Sequence, residues 1–164
     1  MVFLGLPLEQ QALRIFIALI VGSLIGLERV QAQKPAGVRT HAVVCIVSAM
    51  LTLVSAYGFA DFPGEVDPSR LIANILTGIG FLAGGVIYIV AKGEDKTVKG
   101  LTTAAGIWGV ASLGIPIGLG HHFLVLITYV AIRIALKGER LFEKLSIPRL
   151  GRRKHIPPQN EISS

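Results

Sequence analysis

Three stretches without a formal charge constrain this chain more than anything else in it. Ala42–Ala60 runs for 19 residues, Leu71–Ala91 for 21 and Leu101–Ile132 for 32. A helix needs ~20 apolar residues to cross the hydrocarbon of a bilayer. Hydrocarbon offers no partner to a backbone N–H or C=O, so a lipid-exposed span must pair its own backbone as a helix. Barrel strands would alternate apolar and polar residues, and these stretches do not. Composition points the same way: 52% of the 164 residues are apolar and 16% are charged. A soluble globule of this length has too much surface to cover with so few charges. The single cysteine, Cys45, excludes an internal disulfide and a CxxC metal or redox motif.

The expected architecture is therefore all-α, a polytopic membrane protein with five transmembrane helices. The spans fall at about 8–27, 40–60, 71–91, 101–119 and 122–136. The 32-residue run is too long for one helix, and Gly118-Leu119-Gly120-His121-His122 is the place to break it. The fifth span carries Arg133, whose long side chain can reach the interface from near a helix end. A re-entrant or interfacial segment is the alternative there. Residues 1–137 form the membrane domain, and residues 138–164 form a basic tail, amphipathic at first and then disordered.

The basic residues orient the chain. Thirteen of the 16 Lys and Arg lie in Glu28–His41, Lys92–Gly100 and Lys137–Lys154. The segment between the second and third spans instead carries Asp61, Glu65 and Asp67 beside Arg70. With five spans, all three basic segments share one side, and the positive-inside rule makes that side cytoplasmic. The N-terminus is then outside and the C-terminus inside. Met1–Gln11 has no Lys or Arg, which argues against a cleaved signal peptide.

Small residues spaced four apart mark close helix packing: Gly22 with Gly26, Gly80 with Gly84, Ala105 with Gly109, and Gly114 with Gly118. Packing within one chain is favoured over a dimer face. Shifting the chain by 63 residues lays Gly37, Thr40 and Ala42 over Gly100, Thr103 and Ala105. That overlap suggests two helix pairs in a parallel repeat.

The candidate functional core is polar and sits at the cytoplasmic edge. Glu28 and Arg29 end the first span, and Arg39, Thr40 and His41 begin the second. The loop between them is short, so these groups share one depth, and Glu28 is expected to pair with Arg39. Such a pair either staples two helices or forms the mouth of a pocket. Asn74 in the third span reads more readily as internal hydrogen-bonding glue than as a ligand. One well-placed carboxylate cannot build a dedicated Mg²⁺ cage within one chain, although a ring of Glu28 in an oligomer could. His121 and His122 are adjacent and diverge on a helix, so no metal site is assigned. No catalytic motif and no cofactor fingerprint appear, so an enzyme is not expected. Nucleic acid is not an expected partner; membrane phosphates explain the basic tail better.

These residues also carry a resemblance. Gly26-Leu27-Glu28-Arg29 and Lys34-Pro35-Ala36-Gly37-Val38-Arg39-Thr40-His41 resemble the signature of the MgtC/SapB family of bacterial membrane proteins. Gly78-Ile79-Gly80-Phe81-Leu82-Ala83-Gly84-Gly85-Val86-Ile87 is similar to that family's third-helix motif. Gly100-Leu101-Thr102-Thr103-Ala104-Ala105-Gly106-Ile107-Trp108 is similar to the start of its fourth helix. The third-helix motif usually reads Gly-Ala where this chain has Ala83-Gly84. About 28 residues follow Leu136, so functions of the family's soluble C-terminal domain are not carried over. The resemblance implies an inner-membrane protein linked to adaptation to low magnesium and, in pathogens, to survival inside host cells. It points to a non-enzymatic regulator acting through another membrane protein, with an oligomeric cation or small-solute transporter as the alternative. It picks out Glu28, Arg39, Thr40, Thr102 and Thr103 as motif positions. Lipid, another membrane protein or a second copy of the chain are the partners this reading calls for.

Overall fold

The computed structural model describes residues 2–3, 5–59, 66–92 and 95–144. The described residues are mostly helical and form five helices: α1 (Leu8–Gln31), α2 (Val38–Tyr57), α3 (Ser69–Gly84), α4 (Leu101–Leu119) and α5 (His122–Lys144). Two small antiparallel hairpins depart from the all-α expectation. One pairs β1 (Val2–Phe3) with β2 (Leu6–Pro7); the other pairs β3 (Tyr88–Lys92) with β4 (Asp95–Lys99). By length and composition, α2 and α4 could cross a membrane, while α3 is apolar but shorter.

Packing follows the small residues. A Cβ on Gly22 would lie 2.7 Å from the His41 carbonyl oxygen, and one on Gly26 would lie 2.5 Å from Val38 Cα. Both glycines let α1 press against the backbone of α2. On the other side of α2, a Cβ on Gly114 would meet Ser48 Cβ at 2.5 Å, and one on Gly118 would meet Ala49 O at 2.7 Å. Thus α2 is clasped between glycine faces of α1 and α4. It answers with its own small buried residues, Ala42, Cys45, Ser48 and Ala49. Ile25, Ile107, Val110, Leu113 and Ile117 complete this core. Close approach raises dispersion contacts without needing a large apolar core.

Polar residues sit inside and large apolar ones outside. His41, Ser48, Thr52, Ser55 and Thr103 are buried, whereas Phe16, Val43, Phe81, Phe123, Leu126 and Ile134 are exposed. Thr52 Oγ1 donates to the Ser48 carbonyl within α2 (2.8 Å), so its burial leaves no unmet donor. An exterior this apolar suits lipid or a partner surface rather than water.

The structure corrects the third span. The sequence reads as one helix through Ala91, but α3 stops at Gly84, and Tyr88–Lys92 turns into a strand. Gly85 ends the helix, and Tyr88, Ile89 and Val90 then pair with Lys99, Val98 and Thr97. Aromatic and β-branched residues favour such strands. At 1.5 Å per residue, the 16 residues of α3 reach ~24 Å, short of the ~30 Å hydrocarbon core. The hairpin returns to α4 through Gly100, whose φ of +91° is left-handed and whose added Cβ would collide with the Val86 carbonyl.

The fifth segment is one continuous helix that runs on to Lys144 and absorbs the first part of the expected tail. Residues 145–164 lie outside the described residues, as do Asp61 and Glu65. The two halves of the proposed repeat match only in part. Gly37 and Gly100 both precede a helix, but Gly37 is extended and Gly100 left-handed, and Thr40 is exposed where Thr103 is buried.

Candidate functional site

The end of α1 brings Glu28 and Arg29 inward on successive residues, which is possible because neighbours on both sides cover them. Glu28 meets α5 and Arg29 meets α2 and α4. The expected Glu28–Arg39 pair does not form. Arg133 of α5 takes Glu28 instead, with Nε 2.7 Å from Oε2. The contact has ion-pair distance without hydrogen-bond alignment, so Oε2 receives no hydrogen bond. Arg133 is anchored further: Nη1 donates to Tyr129 Oη (2.9 Å) and, more weakly, to the Leu24 carbonyl (3.4 Å). Its guanidinium also lies 5.6 Å from the Tyr129 ring centroid, within cation–π range. Arg39, in the first turn of α2, faces outward and is exposed. The second helix therefore offers Glu28 no guanidinium, and the fifth supplies one from across the bundle.

Arg29 is 2% exposed and His41 is 0% exposed. His41 Nδ1 lies 2.9 Å from the Gly37 carbonyl, one turn back at the start of α2. That acceptor requires Nδ1 to carry a proton. His41 Nε2 has no hydrogen-bond partner among the described residues, and neither do Nε and Nη1 of Arg29. Gly106 of α4 faces the same spot: a Cβ there would lie 3.5 Å from His41 Nε2 and 4.0 Å from Arg29 Cδ. Thr103, one turn earlier on α4, is buried at 2% exposure.

Of the residues expected in the functional core, the structure gathers Glu28, Arg29, His41 and Thr103 inside. Arg39, Thr40, Asn74 and Thr102 lie on the exposed surface. The packing assignments divide likewise. Gly22 and Gly26 pack tightly, and a Cβ on Gly109 would lie 3.5 Å from Ile132 Cδ1 of α5, whereas Ala105 is exposed and nothing lies within 4 Å of a Cβ on Gly80 or Gly84.

Sequence reasoning missed two arginines as anchors. Arg133 is one. Arg14, inside the first expected span, is the other, at the far end of the bundle. Its Nη1 donates to the Gly118 carbonyl (2.7 Å) and to Tyr57 Oη (3.3 Å), and its guanidinium lies 5.5 Å from the Tyr57 ring centroid. Gly120 leaves room for it, with φ +86° and a would-be Cβ only 2.8 Å from Nη2. The available signal was an arginine within a hydrophobic span, where an ionised group needs a partner.

Among the described residues no group of three His, Cys, Asp or Glu side chains converges as a metal site. With one carboxylate, Glu28, and two guanidiniums, Arg29 and Arg133, formal charges give this region a positive balance.

Small-residue packing, inward polar groups and an apolar exterior mark a mostly helical protein whose surface suits a membrane or a partner. A profile of the MgtC family matches residues 15–145. The chain belongs to the MgtC family, whose members are membrane proteins. It is 35% identical over 148 residues to YhiD of Escherichia coli K12, provisionally named a magnesium transporter, covering 88% of this chain and 66% of that protein. It is 43% identical over 114 residues to SapB of Bacillus subtilis 168, covering 67% and 48%. It is 39% identical over 123 residues to MgtC of Salmonella typhimurium LT2, covering 75% and 49%. The chain thus spans about half to two thirds of these curated relatives. No solved structure matches it.

Proposed function

We propose that this protein is a multi-pass protein of the bacterial inner membrane that supports adaptation to low magnesium as a non-enzymatic regulator, acting by contact with another membrane protein. Five spans put the N-terminus outside and the basic segments inside, and the contacts of Gly22 with Ala42 and of Gly26 with Val38, which run α1 antiparallel to α2, support that order. Short α3 is accommodated by a locally thinned bilayer, with the β3–β4 hairpin at the interface.

The observation carrying the regulator reading is the state of Glu28. This buried carboxylate is already held 2.7 Å from Arg133, beside buried Arg29. A divalent cation would have to displace that guanidinium. Exposed Gly78, Gly80 and Gly84 on α3, with open space around them, offer a face on which a partner helix can approach closely. The second reading, an oligomeric transporter for Mg²⁺ or a small solute, draws on the name of the Escherichia coli relative.

Purified protein in liposomes, assayed for Mg²⁺ flux beside a low-magnesium growth assay in cells lacking the native gene, separates the two. The regulator reading expects no flux with growth support intact. Mg²⁺ flux that disappears in Glu28→Gln replaces it with transport.

A further inference from the structure

The Arg29–His41 pair is left incomplete by the described residues. A buried guanidinium with two unpartnered nitrogens is unfavourable, because desolvation is not offset by any acceptor. Glu28, its neighbour in sequence, is committed to Arg133 on α5. No anionic side chain among the described residues answers Arg29.

The imidazole narrows the chemistry of an answering anion. The Gly37 carbonyl at 2.9 Å takes the proton on Nδ1, so a neutral ring presents a lone pair at Nε2. Arg29 then asks for an anionic oxygen, and His41 asks for an O–H. Hydrogen phosphate carries both on one group. Sulfate at neutral pH carries no proton, and a phospholipid diester carries none either.

Gly106 marks where such a group would lie. Its missing side chain borders both His41 Nε2 and Arg29 Cδ, but the gap in this structure is the size of a methyl group. Loading requires α4 to part slightly from the α1–α2 turn. The unpartnered donors of Arg29 make this close packing costly and so favour that opening.

We propose that Arg29 and His41, facing Gly106 across the α1–α2–α4 junction, form a binding site for a hydrogen phosphate group, either inorganic phosphate or a phosphomonoester. The site holds whether the protein regulates or transports, so it is tested apart from either.

The test is thermal unfolding of the purified full-length chain in dodecyl maltoside, with inorganic phosphate, sulfate or chloride at matched ionic strength, and with phosphatidylglycerol added separately. Equilibrium dialysis of labelled phosphate gives the direct count. Phosphate at a hundredfold excess over its Kd is expected to raise Tm by at least ~3 °C, with one ion bound per chain. Arg29→Met is expected to abolish the shift. Should Arg29→Met fail to fold, Gly106→Ala serves instead. Its methyl meets His41 Nε2 and Arg29 Cδ at ordinary contact distances, so it is expected to fold while weakening phosphate at least ~10-fold. No phosphate-specific shift, an equal shift with sulfate or phosphatidylglycerol, or an unchanged affinity in Gly106→Ala would each overturn the proposal.

Discussion

Among single residues, Glu28 matters most because its partner comes from the far end of the sequence. The Glu28–Arg133 pair is partly shielded, with Arg133 side-chain exposure at 28%. Breaking a fully buried pair costs ~3–5 kcal/mol and an exposed one ~0–1 kcal/mol. Glu28→Gln or Arg133→Gln should therefore each cost about 1–3 kcal/mol. A double-mutant cycle by chemical denaturation in detergent should show clear coupling between them. The corresponding Glu28/Arg39 cycle should be additive within ~0.5 kcal/mol; coupling there instead would reinstate the pair expected from sequence. Arg14→Ala, which removes one good hydrogen bond and a ring contact at the opposite end, should cost about 1–2 kcal/mol by the same measurement. Neither arginine's partner could be read from spacing. Glu28 and Arg133 are 105 positions apart, and only the crossing of α1 and α5 joins them.

Among the elements, identical small-residue spacings have opposite fates. Gly26→Ala and Gly118→Ala push a methyl into backbone of α2 that cannot yield, and each should destabilise by about 1–3 kcal/mol. Gly80→Ala and Gly84→Ala meet nothing, and each should be neutral or stabilising by up to ~1 kcal/mol, because alanine favours helix. Thermal melts of the four variants decide this; a destabilised Gly80→Ala would show that α3 already packs on another surface. The start of α3 has a pH dependence of its own. Asp67 Oδ1 accepts hydrogen bonds from the Ser69 hydroxyl (2.6 Å) and backbone N–H (2.9 Å), which hold its carboxyl below the usual range. A lowered folded value means that this stabilisation is present above the ordinary aspartate pKa of ~3.9 and lost as pH falls through the lowered one. Hydrogen exchange in the first turn of α3 should thus be constant from pH 5 to 7, after correction for intrinsic rates, and should rise in strong acid. Asp67→Ala should remove the step.

Whole-molecule expectations concern sidedness. In a Cys45→Ser background, Lys34→Cys and Lys96→Cys should react with an impermeant maleimide from the cytoplasmic face, and Val66→Cys from the outer face. Reaction of Lys34→Cys and Lys96→Cys from opposite faces would discard the five-span order. What the sequence determined by itself was the helical character, the starts of α1, α4 and α5 with α2 beginning two residues earlier than read, and the small-residue spacings. These follow from hydropathy, charge and glycine spacing, which are local quantities. The short loop from α1 to α2 also led to the expectation that Glu28, Arg29, Arg39 and His41 share one depth; of the four, the structure buries all but Arg39. The end of α3 was beyond it, since the apolar run Val86–Ala91 reads alike as helix or strand until a pairing partner is known. Tertiary structure alone decided which glycines are used, that Arg133 rather than Arg39 neutralises Glu28, and that Arg29 and His41 are sealed in with Arg29 Nε and Nη1 and His41 Nε2 unpartnered among the described residues. Those outcomes depend on which helices cross, and helix crossing is set by distant contacts that no local pattern records.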